Sequence, residues 1–393
     1  MVEFPLVSRF TVDAARAVHG SARRREQRAA AAERAGRTPL PTAEEEIWRY
    51  SRIGELDLDR FVPAPDRAVI TAEPPLGLVD DGDSPALEDP DLFDDLVEAF
   101  GARRAITVPA GCTVGEPILV EHDVDVEGAA LFSHLIIDAG ADSDVTIVEQ
   151  FRSADGVTAL VVPSVELRVG PAARVRYLAI NELGDRTWMI ARQRATSDRD
   201  STTLISTVAL GGDYARVRTD ARSIGPGAST RQIALYFADG SQMHDFRTTQ
   251  EHIAPKTSSD LLFKGAVNDT SRSVYTGLIK IGPDARGTNA FQTNRNLTLS
   301  KGAWAESVPN LDIATNDVKC SHASTVGPVD ADQLFYLESR GVPPDIAERL
   351  IVLGFFDEVI EQLPAQSIVG DLRSRVAAKL HAPRVPALDG ATA

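Results

Sequence analysis

Cysteine is almost absent from this chain. Its 393 residues include two, Cys112 and Cys320. Two thiols cannot build a disulfide framework, and they fit a reducing compartment. No stretch reaches the roughly 18 consecutive apolar residues of a membrane-spanning helix. The N-terminus has neither the apolar segment nor the small-residue cleavage site of a secretory leader. A cytoplasmic location is therefore expected. A basic surplus is missing too: 41 Lys and Arg stand against 57 Asp and Glu, a net charge of −16. Phosphate neutralisation needs a basic face, so nucleic acid is not expected as a partner. A polybasic membrane anchor is not expected either. The local cluster Arg23, Arg24, Arg25 and Arg28 reads as a solvated helix face.

The common catalytic and nucleotide-binding signatures are also missing. There is no G-x-x-x-x-G-K-[ST] loop and no G-x-G-x-x-G turn opening a helix. There is no G-x-S-x-G and no H-E-x-x-H. Asp80-Asp81-Gly82-Asp83 lacks the spacing and closing Glu of a calcium loop and reads as solvated loop. His244 and His252 form a conceivable base–acid pair, but histidines on strands more often satisfy local partners.

What is present is ordinary globular composition, 43% hydrophobic and 25% charged. Residues 11–36 are rich in Ala and Arg without proline, which favours helix. Thr42 to Glu45 could cap a short helix carrying Trp48 and Tyr50. Residues 64–93 read as a Pro- and Asp-rich linker, closed by a short helix around Asp91 to Phe100. From about residue 104, short β-branched runs such as Ile106 to Val108, Leu131 to Ile137 and Gln232 to Phe237 follow one another. No helical period interrupts them for some 220 residues. Such a run makes a sandwich, a barrel or a β-helix. Turns at Gly140-Ala141, Gly170-Pro171-Ala172 and Gly225-Pro226-Gly227-Ala228 hint at a stacked repeat with a loose period. Helix returns at Asp330, which could cap a helix with Gln333, and Gly341 supplies its C′ residue. After Pro343-Pro344, the residues Ile346, Leu350, Leu353 and Phe356 fall on one stripe of a second helix. The tail after Pro383 reads as frayed.

Cys320-Ser321-His322 is the sharpest chemical pattern. On a strand, residues two apart share a face, which sets a thiolate beside an imidazole. Both ligate iron or zinc. Two ligands do not complete a tetrahedral site, so further ligands would come from a partner.

Several ordered blocks give this pair a context. They are Met243-His244-Asp245, Thr248 to His252, Phe263-Lys264-Gly265, Val274 to Gly277, Pro309 to Ile313, Asp317 to His322 and Gln333 to Gly341, with Glu46 to Ser51 near the N-terminus. Over these blocks the chain resembles the SufB/SufD family of iron–sulfur cluster assembly scaffolds. Within the family it is similar to the SufD branch. The cysteine that the SufB branch carries in the strand reading Gln292 to Leu297 is missing, and Ala323 follows the histidine where that branch has an acidic residue. Ala323-Ser324-Thr325 departs from the usual Gly-Ala-Thr and puts the backbone beside His322 in question.

The resemblance implies a mainly β protein, a parallel β-helix core flanked by N- and C-terminal helical regions. The divisions are 1–103, 104–328 and 329–393. It implies a non-ATPase scaffold subunit with no stably bound cofactor. A SufB-like scaffold would pair at the β-helix end, where Cys320 and His322 would meet transient iron or a nascent cluster. A SufC-like ATPase would dock the C-terminal helices, at Leu334, Phe335, Tyr336, Arg340, Gly341 and Phe355. A homodimer is left open, as are a SufB-like scaffold binding a cluster alone and a β-helix enzyme.

Overall fold

The structure is a computed structural model and describes residues 9–72, 76–80 and 90–381. Asp81 to Asp83 and the tail after Pro383 lie outside the described residues. The N-terminal region holds α1 (Val12–Ala17), α2 (Ala22–Ala35), three single-turn 3-10 segments, β1 (Val62–Ala64), β2 (Val69–Thr71), β3 (Gly77–Asp80) and α3 (Leu92–Phe100). Sixteen strands follow without a helix: β4 (Ala102–Val108), β5 (Ile118–Asp123), β6 (Ala129–Ala139), β7 (Asp144–Arg152), β8 (Ala159–Val169), β9 (Arg174–Glu182), β10 (Thr187–Ser197), β11 (Thr202–Ala209), β12 (Tyr214–Ser223), β13 (Ser229–Ala238), β14 (Met243–His252), β15 (Ser258–Val267), β16 (Arg272–Ile281), β17 (Thr288–Thr298), β18 (Trp304–Ile313) and β19 (Val318–Gly327). The described residues then end in α4 (Ala331–Ser339), α5 (Pro344–Ile360), α6 (Gln366–Val369) and α7 (Leu372–His381).

Even-numbered strands from β4 to β18 stack in parallel into one sheet, and odd-numbered strands from β5 to β19 into a second. Each strand crosses to the other sheet at a turn, so the chain winds as a β-helix of eight coils. The turns stack as well. Positive φ recurs at Asp142, Ala172, Asp200, Gly227, Lys256 and Gly287, so a coil takes 27 to 31 residues. In each of these turns that residue's N–H donates to a carbonyl of the next turn, as Asp142 does to Pro171 and Lys256 to Arg286. Gly225 is needed at its turn because a Cβ there would lie 1.9 Å from the Arg199 backbone nitrogen. The loose repeat in the sequence is this stack, with the period blurred by unequal coils.

Alternate residues face inward. The interior of the first coils is aliphatic, with Ile106, Val108, Ile118, Ile137, Ile147 and Val175 in one cluster. The N-terminal end is closed by the segment running into β2, which pairs antiparallel with β5. Asp66 is buried there, paired with Arg104 and 3.0 Å from Nδ1 of His122, whose Nε2 lies 2.9 Å from Glu149. Burial alone would lower the His122 pKa. Its two carboxylate partners outweigh that and raise it to about 9.

Each outer face is covered over part of its length. The N-terminal region lays Phe10, Trp48, Phe61, Leu96 and Phe100 on the outward residues Phe132, Val162, Ile190 and Tyr214 of the even sheet. The C-terminal helices lay Val352, Phe356, Val359 and Val376 on Val208, Leu235 and Phe237 of the odd sheet.

Some expectations change. The Arg cluster is not a uniformly solvated face: Arg24 and Arg28 are buried. Arg24 pairs with Glu98, and Arg28 donates to the carbonyls of Ala99 and Gly101, which satisfies the C-terminal end of α3. Thr42 does not cap a helix with its side chain; its N–H donates to Glu45, and only a 3-10 turn, Glu46–Trp48, forms. The chain there must cross the sheet as a strap. Arg216 stacks 3.9 Å over Trp48 and donates to the Ile47 carbonyl, and Arg247 donates to that of Arg49. The linker over 64–93 contains β2 and β3 and the buried Asp66. On α5 the buried residues are Ala347, Val352, Phe356, Val359 and Ile360, whereas Ile346 and Leu350 of the anticipated stripe are exposed. The helix is apolar on several sides, so spacing alone could not choose its inner face.

Candidate functional site

Among the described residues, the last strand, β19, pairs only with β17. Its register sets Cys320 against Ala290 and His322 against Gln292. On β17, Thr288, Ala290, Gln292, Asn294 and Asn296 are buried while Asn289, Phe291 and Arg295 are exposed. Cys320 and His322 therefore belong to the inward column, as the i, i+2 spacing requires. No further coil covers them among the described residues, so Cys320 is half-buried and His322 is exposed. The departure at Ala323-Ser324-Thr325 leaves the strand unbroken, for the ladder to β17 runs through all three residues.

The floor beneath Cys320 is apolar: Ile279, Ile281, Ala285 and Ala290, with Val318 beside it. Burial pushes the Cys320 thiol above its ordinary pKa. A cysteine held this way is a neutral thiol at pH 7 and becomes a thiolate when a metal displaces the proton. Around the pair lies an unfinished surface. Leu311 and Ile313 on β18 and Val326 on β19 face the same open end and are exposed, and among the described residues the outer edges of both strands have no partner strand. Such an edge is a template for another chain. Among the described residues, no three His, Cys, Asp or Glu side chains converge on a common metal position. Cys112 precedes β5 and packs in the first coil. Seven coil steps of roughly 4.8 Å put it some 30 Å or more from Cys320.

The two strand histidines turn out to be structural. His244 is fully buried and in hydrogen-bond contact with the Gly211 carbonyl at 3.2 Å; burial and Lys379 lower its pKa to about 3. His252 contacts Thr257 and Ser259 at 2.8 and 2.9 Å, and burial lowers it to about 4. They sit at opposite ends of β14 and do not form a pair.

The C-terminal helices differ in how firmly they are held. Asp330 caps α4, accepting from the N–H groups of Asp332 and Gln333, and Gly341 follows at φ +85°. No residue of α4 is buried. Phe335 is 73% exposed and Tyr336 57%, with Arg340 5.3 Å over the Tyr336 ring and Leu334 partly covered. Phe355 instead turns to the β-helix. Lys264 reaches from β15 to the Phe355 carbonyl at 2.8 Å, lies 4.5 Å over its ring and pairs with Glu358. Lys264 lies in the block Phe263-Lys264-Gly265, but no local signal marks it as this anchor. None marks Lys379 either, which fixes α7 to the Leu210 carbonyl at 2.6 Å and to Asp239 at 2.8 Å.

Comparison with known proteins gives the family. The profile described as "SUF system FeS cluster assembly, SufBD core domain" matches residues 122–355. An iron–sulfur cluster assembly SufBD family protein of Mycobacterium tuberculosis is 33% identical over 360 residues, covering 87% of this chain and 88% of the relative. The iron–sulfur cluster assembly protein SufD of Escherichia coli is 27% identical over 383 residues, covering 88% and 90%. SufD of Bacillus subtilis is 31% identical over 280 residues, covering 70% and 63%. A β-helix from the first coil to the last, matched over more than half its length by that profile, places the chain in the SufB/SufD family of iron–sulfur cluster assembly proteins.

Proposed function

We propose that this chain is the SufD-like, non-ATPase scaffold subunit of a cytoplasmic SUF assembly complex. One observation carries the reading: Cys320 and His322 stand side by side in the inward column of a terminal coil that none of the described residues covers. A SufB-like scaffold adds its own edge strands there and covers Leu311, Ile313 and Val326. It also supplies the remaining ligands, since clusters usually take four, mostly thiolates. Iron or a nascent cluster is the cargo of this shared site, passed on rather than kept. Binding of Fe²⁺ forms a sulfur–iron bond and releases the thiol proton to solvent. A two-ligand donor set gives less support to a scaffold holding a cluster alone.

The exposed aromatics of α4 are the docking surface for a SufC-like ATPase. Phe335 and Tyr336 make the contact, Arg340 and Gly341 shape its end, and Leu334 and Phe355 lie underneath as support. Because α4 is three residues beyond β19, movement of the docked ATPase is felt at the Cys320 strand. Biasing one two-state element from a distant ligand is enough for such coupling.

Co-purification of defined variants separates the two surfaces. Leu311→Arg with Ile313→Arg should abolish pairing with the scaffold partner and keep the ATPase. Phe335→Ala with Tyr336→Ala should do the reverse. Retention of both partners by both variants would refute the assignment.

A further inference from the structure

Gln292 stands one strand below His322, in direct register with it. Its side chain is 2% exposed, and its Oε1 has no hydrogen-bond donor among the described residues. A buried acceptor without a donor is uncommon and invites a reason. Across the coil interior is Gly277, where a Cβ would lie 2.5 and 2.6 Å from the Gln292 amide atoms and 2.3 Å from the Tyr275 hydroxyl. Glycine thus leaves the room that the amide occupies. The neighbouring polar groups are engaged with one another: Tyr275 with Thr248 at 3.0 Å, Asn294 with Tyr236 at 2.9 Å, and Asn296 with Asn294 at 2.8 Å. The amide oxygen is left over, on the residue that the register sets one strand below His322.

In-register side chains on adjacent parallel strands stack with their tips about 4.8 Å apart, a spacing that side-chain ladders close with hydrogen bonds. We propose that Gln292 is a positioning residue for His322: when the terminal coil is covered, its Oε1 accepts the ring N–H of His322. The other ring nitrogen is then turned, with its lone pair, toward the metal position beside Cys320. The inference rests on the half-site reading above. Histidine ligands generally donate their second ring N–H to such an acceptor, and losing it costs about 10–100-fold in metal affinity.

The test uses the full chain assembled with its scaffold and ATPase partners, and Co²⁺ as probe. Affinity is read from the thiolate-to-cobalt absorption that Cys320→Ala removes. Gln292→Leu should weaken Co²⁺ binding at least about tenfold without lowering Tm, since a leucine of similar shape removes an orphaned acceptor. Gln292→Glu, which keeps an acceptor, should stay within a fewfold of the parent. In a His322→Ala background, Gln292→Leu should have no further effect. The inference is overturned if His322→Ala weakens binding and Gln292→Leu does not, or if Gln292→Leu weakens it equally with His322 already gone. If no Cys320-dependent absorption forms, or if His322→Ala leaves affinity unchanged, the half-site reading itself fails and takes this inference with it.

Discussion

At the scale of single residues, Cys320 and His322 illustrate what local spacing tells and what it leaves out. Residues two apart on a strand share a face, so their adjacency was legible in the sequence. Which face they share depends on pairing with β17, a contact set by coil stacking and by no local signal. Half-burial on an apolar floor keeps the Cys320 thiol protonated. Alkylation of Cys320 in the isolated chain is therefore expected to be slow at pH 7 and to accelerate only above the ordinary thiol range. Rapid modification at pH 7 would contradict that burial. His122 is the opposite case, a group that no motif announced. With its pKa raised to about 9 against an unfolded value near 6.5, it contributes stability that is fully present below pH 6.5 and lost as pH rises through 9. Between those limits the parent should lose on the order of 3 kcal/mol more than a His122→Asn variant in urea unfolding. Equal losses would show that the charged pair with Asp66 and Glu149 does not hold the N-terminal end.

At the scale of elements, the C-terminal helices divide into an anchored part and a free part. Phe356 is fully buried and its ring lies 6.2 Å from that of Phe237. Phe356→Ala should cost about 3–5 kcal/mol, as large-to-small changes at packed aromatics do. Phe335→Ala on the exposed α4 should change stability by less than about 0.5 kcal/mol, so any loss of ATPase binding in that variant is a surface effect. Comparable destabilisation by both variants, measured by chemical unfolding, would remove the distinction. The existence of α4 and α5 was legible from Asp330, Gly341 and Pro343-Pro344; that of α6 and α7 was not. The buried face of α5 was not, because an apolar helix presents several possible stripes and the outward residues of the odd sheet choose among them. The same holds for Arg24 and Arg28: a run of arginines looks solvated until α3 brings its last carbonyls beside it.

At the scale of the whole molecule, the β-helix has two unlike ends. One is closed by Asp66 and its ion pairs; the other stops at a coil with exposed apolar residues beside Cys320 and His322. The mainly β core was readable from 220 residues without helical period, and the choice of a parallel β-helix came from resemblance, since unequal coils blur the repeat. The covering of each sheet by one terminal region was not readable, because it depends on outward residues such as Phe132 and Phe237 that look like any strand residue. The proposal that the open end supplies half of a shared site has a direct test. It is tested by replacing Cys320 and His322 together with alanine, confirming that assembly with the proposed scaffold and ATPase partners is intact, and measuring cluster formation. The account predicts at least a tenfold loss of cluster yield with intact assembly; an undiminished yield would contradict it.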